Sequence, residues 1–114
     1  MTSVREFVKS AQREIRDTDL QPDRAAELLT QLAAILGNVN DEIRMADAEY
    51  NAVLLQYLES EAKANRAKIR AETSPEYQRK REARDTKELV VELVRSLKYF
   101  LRAKAEELQL ARHL

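Results

Sequence analysis

The sequence lacks cysteine and has only one glycine and two prolines in 114 residues. Without cysteine there can be no disulfide, no thiolate zinc site and no cysteine nucleophile, which fits a reducing compartment. A β-rich or loop-rich fold of this length needs more glycine and proline for its turns. Aromatic residues are also few, at 5%. These shortages favour an all-α fold with short connections.

Long apolar runs are absent as well. No stretch approaches the roughly 20 apolar residues that a membrane-spanning helix needs. The segment from Met1 to Glu6 lacks the apolar core of a signal peptide. We therefore expect a cytoplasmic protein that does not associate with a membrane.

The residues that are abundant are those that favour helices. Ala, Leu, Glu, Arg and Lys dominate, and charged residues make up 35% of the chain. We predict a single domain with three helices, at about residues 3–17, 22–71 and 75–111. Thr2 or Ser3 caps the first helix, with Glu6 at capping-box spacing from Ser3. Pro22 suits the first turn of the second helix, and Pro75 that of the third.

The second predicted helix carries a heptad repeat in which apolar residues alternate three and four apart, and the third carries a matching apolar stripe. A sustained repeat of this kind indicates a coiled-coil-like seam. Gly37 reads locally as a helix stop, but the heptad phase survives across it. We therefore predict one continuous helix, with a kink at Gly37 as the open alternative. The predicted seam or oligomer contact consists of Leu29, Leu36, Ile43, Tyr50, Val53, Tyr57, Val94, Leu97 and Leu101.

A short turn near residue 74 predicts that the two long helices form an antiparallel hairpin. In that register Tyr50 lies opposite Leu97, and Tyr57 lies opposite Val90. The first helix is expected to cover the apolar base of the hairpin, giving a three-helix bundle with a protruding tip at residues 59–88. Because the apolar face of the base is wider than one seam, we expect a homo-oligomer.

No arrangement of residues in the sequence predicts catalysis, cofactor binding or a metal site. The single histidine, His113, lies next to the C-terminus, where a fraying helix holds a base poorly. There is no Glu-x-x-His pair for a di-iron bundle and no glycine-rich phosphate loop. We predict that the protein is not an enzyme.

Charge is balanced overall but unevenly distributed. Residues 1–62 hold 6 basic and 12 acidic side chains, whereas residues 63–87 hold 9 basic and 4 acidic ones. A basic tip is expected to attract phosphates or an acidic partner, and Tyr77 could stack on a base. Two other interpretations stay open: the charges keep the tip solvated, or the tip docks on the acidic base of another copy. The candidate contact residues are Arg66, Lys68, Arg70, Arg79, Lys80, Arg81 and Arg84.

Residues 45–110 resemble a loose class of small helical proteins encoded in phage or prophage genomes, often beside recombination and replication genes. The segments that carry the resemblance are Ala48-Glu49-Tyr50-Asn51, Leu54-Leu55, Tyr77, Arg81-Glu82-Ala83 and Leu93-Val94-Arg95-Ser96-Leu97-Lys98. The resemblance implies a host-interaction protein or an accessory factor in DNA transactions. We expect a non-enzymatic, self-associating helical protein that binds an unidentified protein partner. The alternative is a nucleic-acid-binding accessory protein that uses the basic tip.

Overall fold

The computed structural model describes residues 3–113 and confirms the all-α class. Within that range there are five helices and no strand. The helices are α1 (Val4–Asp17), α2 (Pro22–Ala34), α3 (Leu36–Ser60), α4 (Ala64–Glu72) and α5 (Pro75–His113).

The helix starts follow the local signals in the sequence. The Ser3 hydroxyl accepts a hydrogen bond from the Glu6 backbone N–H at 3.1 Å, and the Glu6 carboxylate accepts one from the Ser3 N–H at 3.4 Å. This confirms the capping box, while Thr2 lies outside the described residues. α2 begins at Pro22 and α5 at Pro75, and the Ser74 hydroxyl accepts from the Tyr77 N–H at 3.3 Å. All of these contacts join residues close in sequence.

The prediction of one continuous helix over residues 22–71 is wrong at two places. The first interruption is at Ile35, where the backbone angles of φ −82° and ψ −5° depart from regular α-helix geometry. Gly37 lies in the first turn of α3 rather than at the break itself. The sequence around it, Gly37-Asn38-Val39-Asn40, is poor in strong helix formers and gives the helix little resistance to interruption.

The second interruption is at residues 61–63, between the end of α3 at Ser60 and the start of α4 at Ala64. Lys63 is extended, with φ −120° and ψ 130°. No large apolar side chain occurs in residues 59–65, so a continuous helix would bury little there. Ala67 and Ala71, beyond the break, are fully buried.

The chain divides into two compact units. The first unit is Met1–Leu36 together with Glu88–Leu114, and the second is Gly37–Lys87. α5 therefore contributes residues to both. In the first unit, the buried apolar residues come from α1, α2 and α5, and they are Val8, Ala11, Ala25, Leu28, Leu32, Val90, Leu93 and Leu97.

α1 and α2 of the first unit are also joined by an ion pair. The Arg24 guanidinium donates to both carboxylate oxygens of Glu14, from Nε at 2.6 Å and from Nη2 at 2.8 Å. This hydrogen bonding lowers the pKa of the Glu14 carboxyl, against a smaller opposing effect of burial. A two-pronged arginine–carboxylate contact fixes the relative orientation of the two helices better than a single ion pair.

The second unit packs α3 and α4 with the first turns of α5. Its buried residues are Val39, Ala46, Tyr50, Ala67, Ala71, Ala83 and Thr86. Four of them are alanines, which allow helices to approach closely but bury little area each. The Thr86 hydroxyl donates to the Glu82 carbonyl at 2.8 Å.

α3 and the start of α5 are antiparallel, but their register is not the predicted one. Arg84 pairs with Asp47, Arg79 with Glu49, and the Tyr77 ring contacts Tyr50. Tyr50 thus lies against Tyr77 rather than opposite Leu97. The prediction assumed two straight helices meeting at a turn near residue 74. In the structure, residues 61–74, which include the break and α4, separate α3 from α5. This insertion shifts the register in which α3 and α5 pair.

None of the helices within residues 3–113 combines the length and hydrophobicity that crossing a membrane would require.

Candidate interaction surfaces

The predicted basic tip is built into the second unit through ion pairs with α3. Arg84 Nη2 lies 2.7 Å from an Asp47 carboxylate oxygen, and Arg79 Nε lies 3.3 Å from one of Glu49. Arg79 also approaches Glu76 one turn away, at 3.6 Å. Arg79 and Arg84 are therefore engaged by acidic residues of the same unit.

Two more cations of the tip lie over tyrosine rings. The Lys80 ammonium is 4.4 Å from the centre of the Tyr50 ring, and the Arg81 guanidinium is 6.0 Å from that of Tyr77. The two rings are 5.4 Å apart and tilted by 47°. Burial, with smaller effects from Glu72 and Tyr77, raises the pKa of the Tyr50 hydroxyl. Tyr77, the proposed stacking residue, is thus partly covered by its own neighbours.

The three basic candidates on α4 differ from one another. Arg70 pairs with Glu61 across the α3–α4 break, and its guanidinium lies 5.4 Å from the centre of the Tyr57 ring. Arg66 and Lys68 are exposed. Arg66 lines a surface depression together with Glu61, Ile69 and Arg70. Arg66 and Lys68 are the members of the predicted cluster best placed to meet an external anion.

The predicted seam is only partly the core. Tyr50 and Leu97 are buried, whereas the other seam residues are half-buried, namely Leu29, Leu36, Ile43, Val53, Tyr57, Val94 and Leu101. On α2 the buried residues are Ala25, Leu28 and Leu32. Consecutive leucines at 28 and 29 fit two helical faces equally well, so the heptad alone could not choose between them.

α5 carries apolar residues beyond the part that the first unit covers. Val90 and Leu97 are each 1% exposed, whereas Leu108, on the same face further along, is 58% exposed. Leu101 is half-buried and Ala105 is exposed. We call Leu101, Ala105 and Leu108 the α5 stripe. It continues the core face of the helix as an uncovered surface.

A second uncovered apolar surface lies on α3, on the side of this helix away from its buried residues. Met45 is 64% exposed and Leu55 is 57% exposed, with exposed Ala48 and Ala52 between them. The spacing of three, four and three residues places these side chains in one line along the helix. We call these four residues the α3 stripe. The heptad repeat on the buried face does not predict this stripe, because Met45 and Leu55 lie outside its positions.

Among residues 3–113 no group of three or more His, Asp or Glu side chains is arranged to hold a metal ion. His113, the only histidine, is exposed at the last position of α5. The described side chains that come together are apolar residues, tyrosines and ion-paired charges.

No family model, no curated protein and no solved structure matches this chain.

Proposed function

We propose that this chain is a non-enzymatic helical interaction protein that associates with further copies of itself through uncovered apolar helix faces. The observation that carries the proposal is the α5 stripe, which extends the buried face of the helix into solvent. α1 has 14 residues and α2 has 13, so each spans about 20 Å. Residues 88–113 of α5 belong to the same unit and span about 39 Å. The end of α5 therefore has apolar surface with no helix of its own unit beside it.

Exposed apolar residues at helical spacing favour a helical partner. Isolated exposed leucines are ordinary, but a line that continues a core face is typical of a surface that another helix covers. Tyr99 and Leu110, 74% and 67% exposed, lie on a different face of the same helix segment. This part of α5 therefore offers apolar contacts on more than one side.

The test is the mass of the protein in solution as a function of concentration. We expect sedimentation equilibrium to show association over about 10–500 µM, because a short helix contact lies at the small end of stable interfaces. Leu108→Glu should abolish it while leaving the helical circular dichroism unchanged. Gln109→Glu, at an exposed position on another face, is the matched control. A wild-type chain that stays monomeric throughout would overturn the proposal.

Nucleic-acid binding by the basic tip is the second candidate, and Arg66 and Lys68 are the observation that favours it. It has less support because the other five cations of the tip contact carboxylates or tyrosine rings within the second unit. The carboxylates beside these cations repel phosphates and weaken the local positive field. The cytoplasmic location and the resemblance to small phage proteins stay predictions.

A further inference from the structure

The two uncovered stripes, on α5 and on α3, have complementary charges at their ends. Lys98 and Arg112 lie at the two ends of the α5 stripe, whereas Asp41 and Glu59 lie at the two ends of the α3 stripe. At 1.5 Å per residue, the basic pair spans about 21 Å and the acidic pair about 27 Å. The long side chains of lysine and arginine can bridge that difference.

We propose that the protein assembles head to tail, with the α5 stripe of one copy docking on the α3 stripe of the next. This inference rests on the proposed self-association and names the two surfaces that meet. The apolar part of the α5 stripe, from Leu101 to Leu108, spans about 10 Å and fits within the span of about 15 Å from Met45 to Leu55. Ala48 and Ala52 leave room between Met45 and Leu55 for the leucines of the incoming helix.

Charge disfavours the two symmetric alternatives. If the α5 stripe met the α5 stripe of a second copy, Lys98 and Arg112 would face other cations in either helix orientation. If the α3 stripe met itself, Asp41 and Glu59 would face other carboxylates. Only the mixed pairing brings opposite charges together at both ends, and repulsion in the wrong pairings is a common source of specificity.

The nearby ion pairs do not block this contact. Asp41 is paired with Arg44 on its own helix, and Lys104 lies 3.5 Å from Glu107 within α5. Both pairs join exposed side chains one turn apart, and such pairs contribute little and exchange readily. A contact between two different surfaces repeats from copy to copy, so it yields either a closed ring of two or more copies or an open chain.

A mixing experiment tests the arrangement. Leu108→Glu damages the α5 stripe and leaves the α3 stripe intact, whereas Leu55→Glu does the opposite. We expect each variant alone to be monomeric. An equimolar mixture should form a 1:1 dimer and nothing larger, because only one intact pair of surfaces remains. Since both positions are exposed, the variants should fold, which circular dichroism and thermal unfolding would verify.

The outcomes separate this inference from the proposed function. If Leu55→Glu assembles like the wild type while Leu108→Glu is monomeric, self-association stands but the head-to-tail contact is overturned. If the mixture stays monomeric, the head-to-tail contact is likewise overturned. A monomeric wild-type chain overturns both, and leaves the stripes to a different partner. Charge reversal gives an independent check. The double variant Lys98→Glu/Arg112→Glu should associate with itself at least tenfold more weakly than the wild type. Mixing it with the double variant Asp41→Lys/Glu59→Lys should restore assembly.

Discussion

The ring of Tyr50 on α3 lies 5.4 Å from the ring of Tyr77 on α5, and this contact fixes how the two helices of the second unit are paired. Tyr50 is 6% exposed, so this ring contact belongs to the core of the second unit. Tilted aromatic pairs at this distance contribute beyond the area they bury.

We therefore expect the two tyrosines to be energetically coupled. In a double-mutant cycle with Tyr50→Leu and Tyr77→Leu, the free energy of unfolding should show an interaction of about 0.5–1.5 kcal/mol. Chemical denaturation of the four proteins measures it. An interaction well below about 0.5 kcal/mol between Tyr50 and Tyr77 would contradict this pairing of α3 with α5.

Gly37 provides a test of the helix around the first break. A methyl group added at Gly37 would meet no atom within 4 Å, and the backbone angle φ of Gly37 is not positive. Gly37→Ala should therefore stabilise the protein by about 0.5–1 kcal/mol through helix propensity and a less flexible unfolded chain. Thermal unfolding would report it as a rise in Tm.

The matched control for that change is Gln56→Gly, at an exposed position inside α3 and outside the α3 stripe, which should lower stability by a similar amount. A destabilising Gly37→Ala would show that the start of α3 needs the freedom of glycine, contrary to the geometry.

The contacts that sequence reasoning anticipated are local ones. Ser3, Glu6 and Ser74 form hydrogen bonds with residues three positions away, so the sequence itself brings the partners together. The pairing of Arg84 with Asp47 could not be inferred in this way. It depends on where α4 places the chain, and the heptad alanines Ala67 and Ala71 look the same whether or not the helix breaks before them.

Two arginines of the basic tip have acidic partners that a count of charges along the chain did not predict. Counting charges along the chain separated the basic residues from the acidic half of the sequence. In the fold, Arg79 and Arg84 lie beside Glu49 and Asp47, which are distant in sequence but close in the second unit. The heptad pattern did not predict the α3 stripe either, because Met45 and Leu55 fall outside the dominant repeat.

The Glu14–Arg24 pair predicts a pH dependence of stability. Because Arg24 lowers the pKa of Glu14, the folded state favours the ionised carboxylate. Its contribution is fully present above the unfolded pKa of about 4.5 and is lost as pH falls through the lower folded value. Glu14→Gln should cost about 1 kcal/mol at pH 7, a modest value because both side chains are partly exposed.

Urea unfolding between pH 7 and pH 3 would measure this effect. The difference between the wild type and Glu14→Gln should shrink below about pH 4.5. Glu27→Gln removes a second, more exposed partner of Arg24 and should cost under about 0.5 kcal/mol. Equal losses for the two variants at pH 7 would contradict the dominant role of Glu14.

The last prediction concerns nucleic acid. Since five of the tip cations have contacts within the second unit, we expect DNA binding to be weak at low salt, to have a shallow salt dependence, and to fall below detection above about 100 mM salt. Fluorescence anisotropy with labelled single- and double-stranded oligonucleotides over about 20–200 mM salt measures this. Arg66→Glu with Lys68→Glu should leave self-association unchanged, and Lys9→Glu with Arg13→Glu on α1 is the control of equal charge. Binding that persists at about 150 mM salt, and that is lost in the α4 variant but not in the α1 control, would make phosphate contact the function of α4.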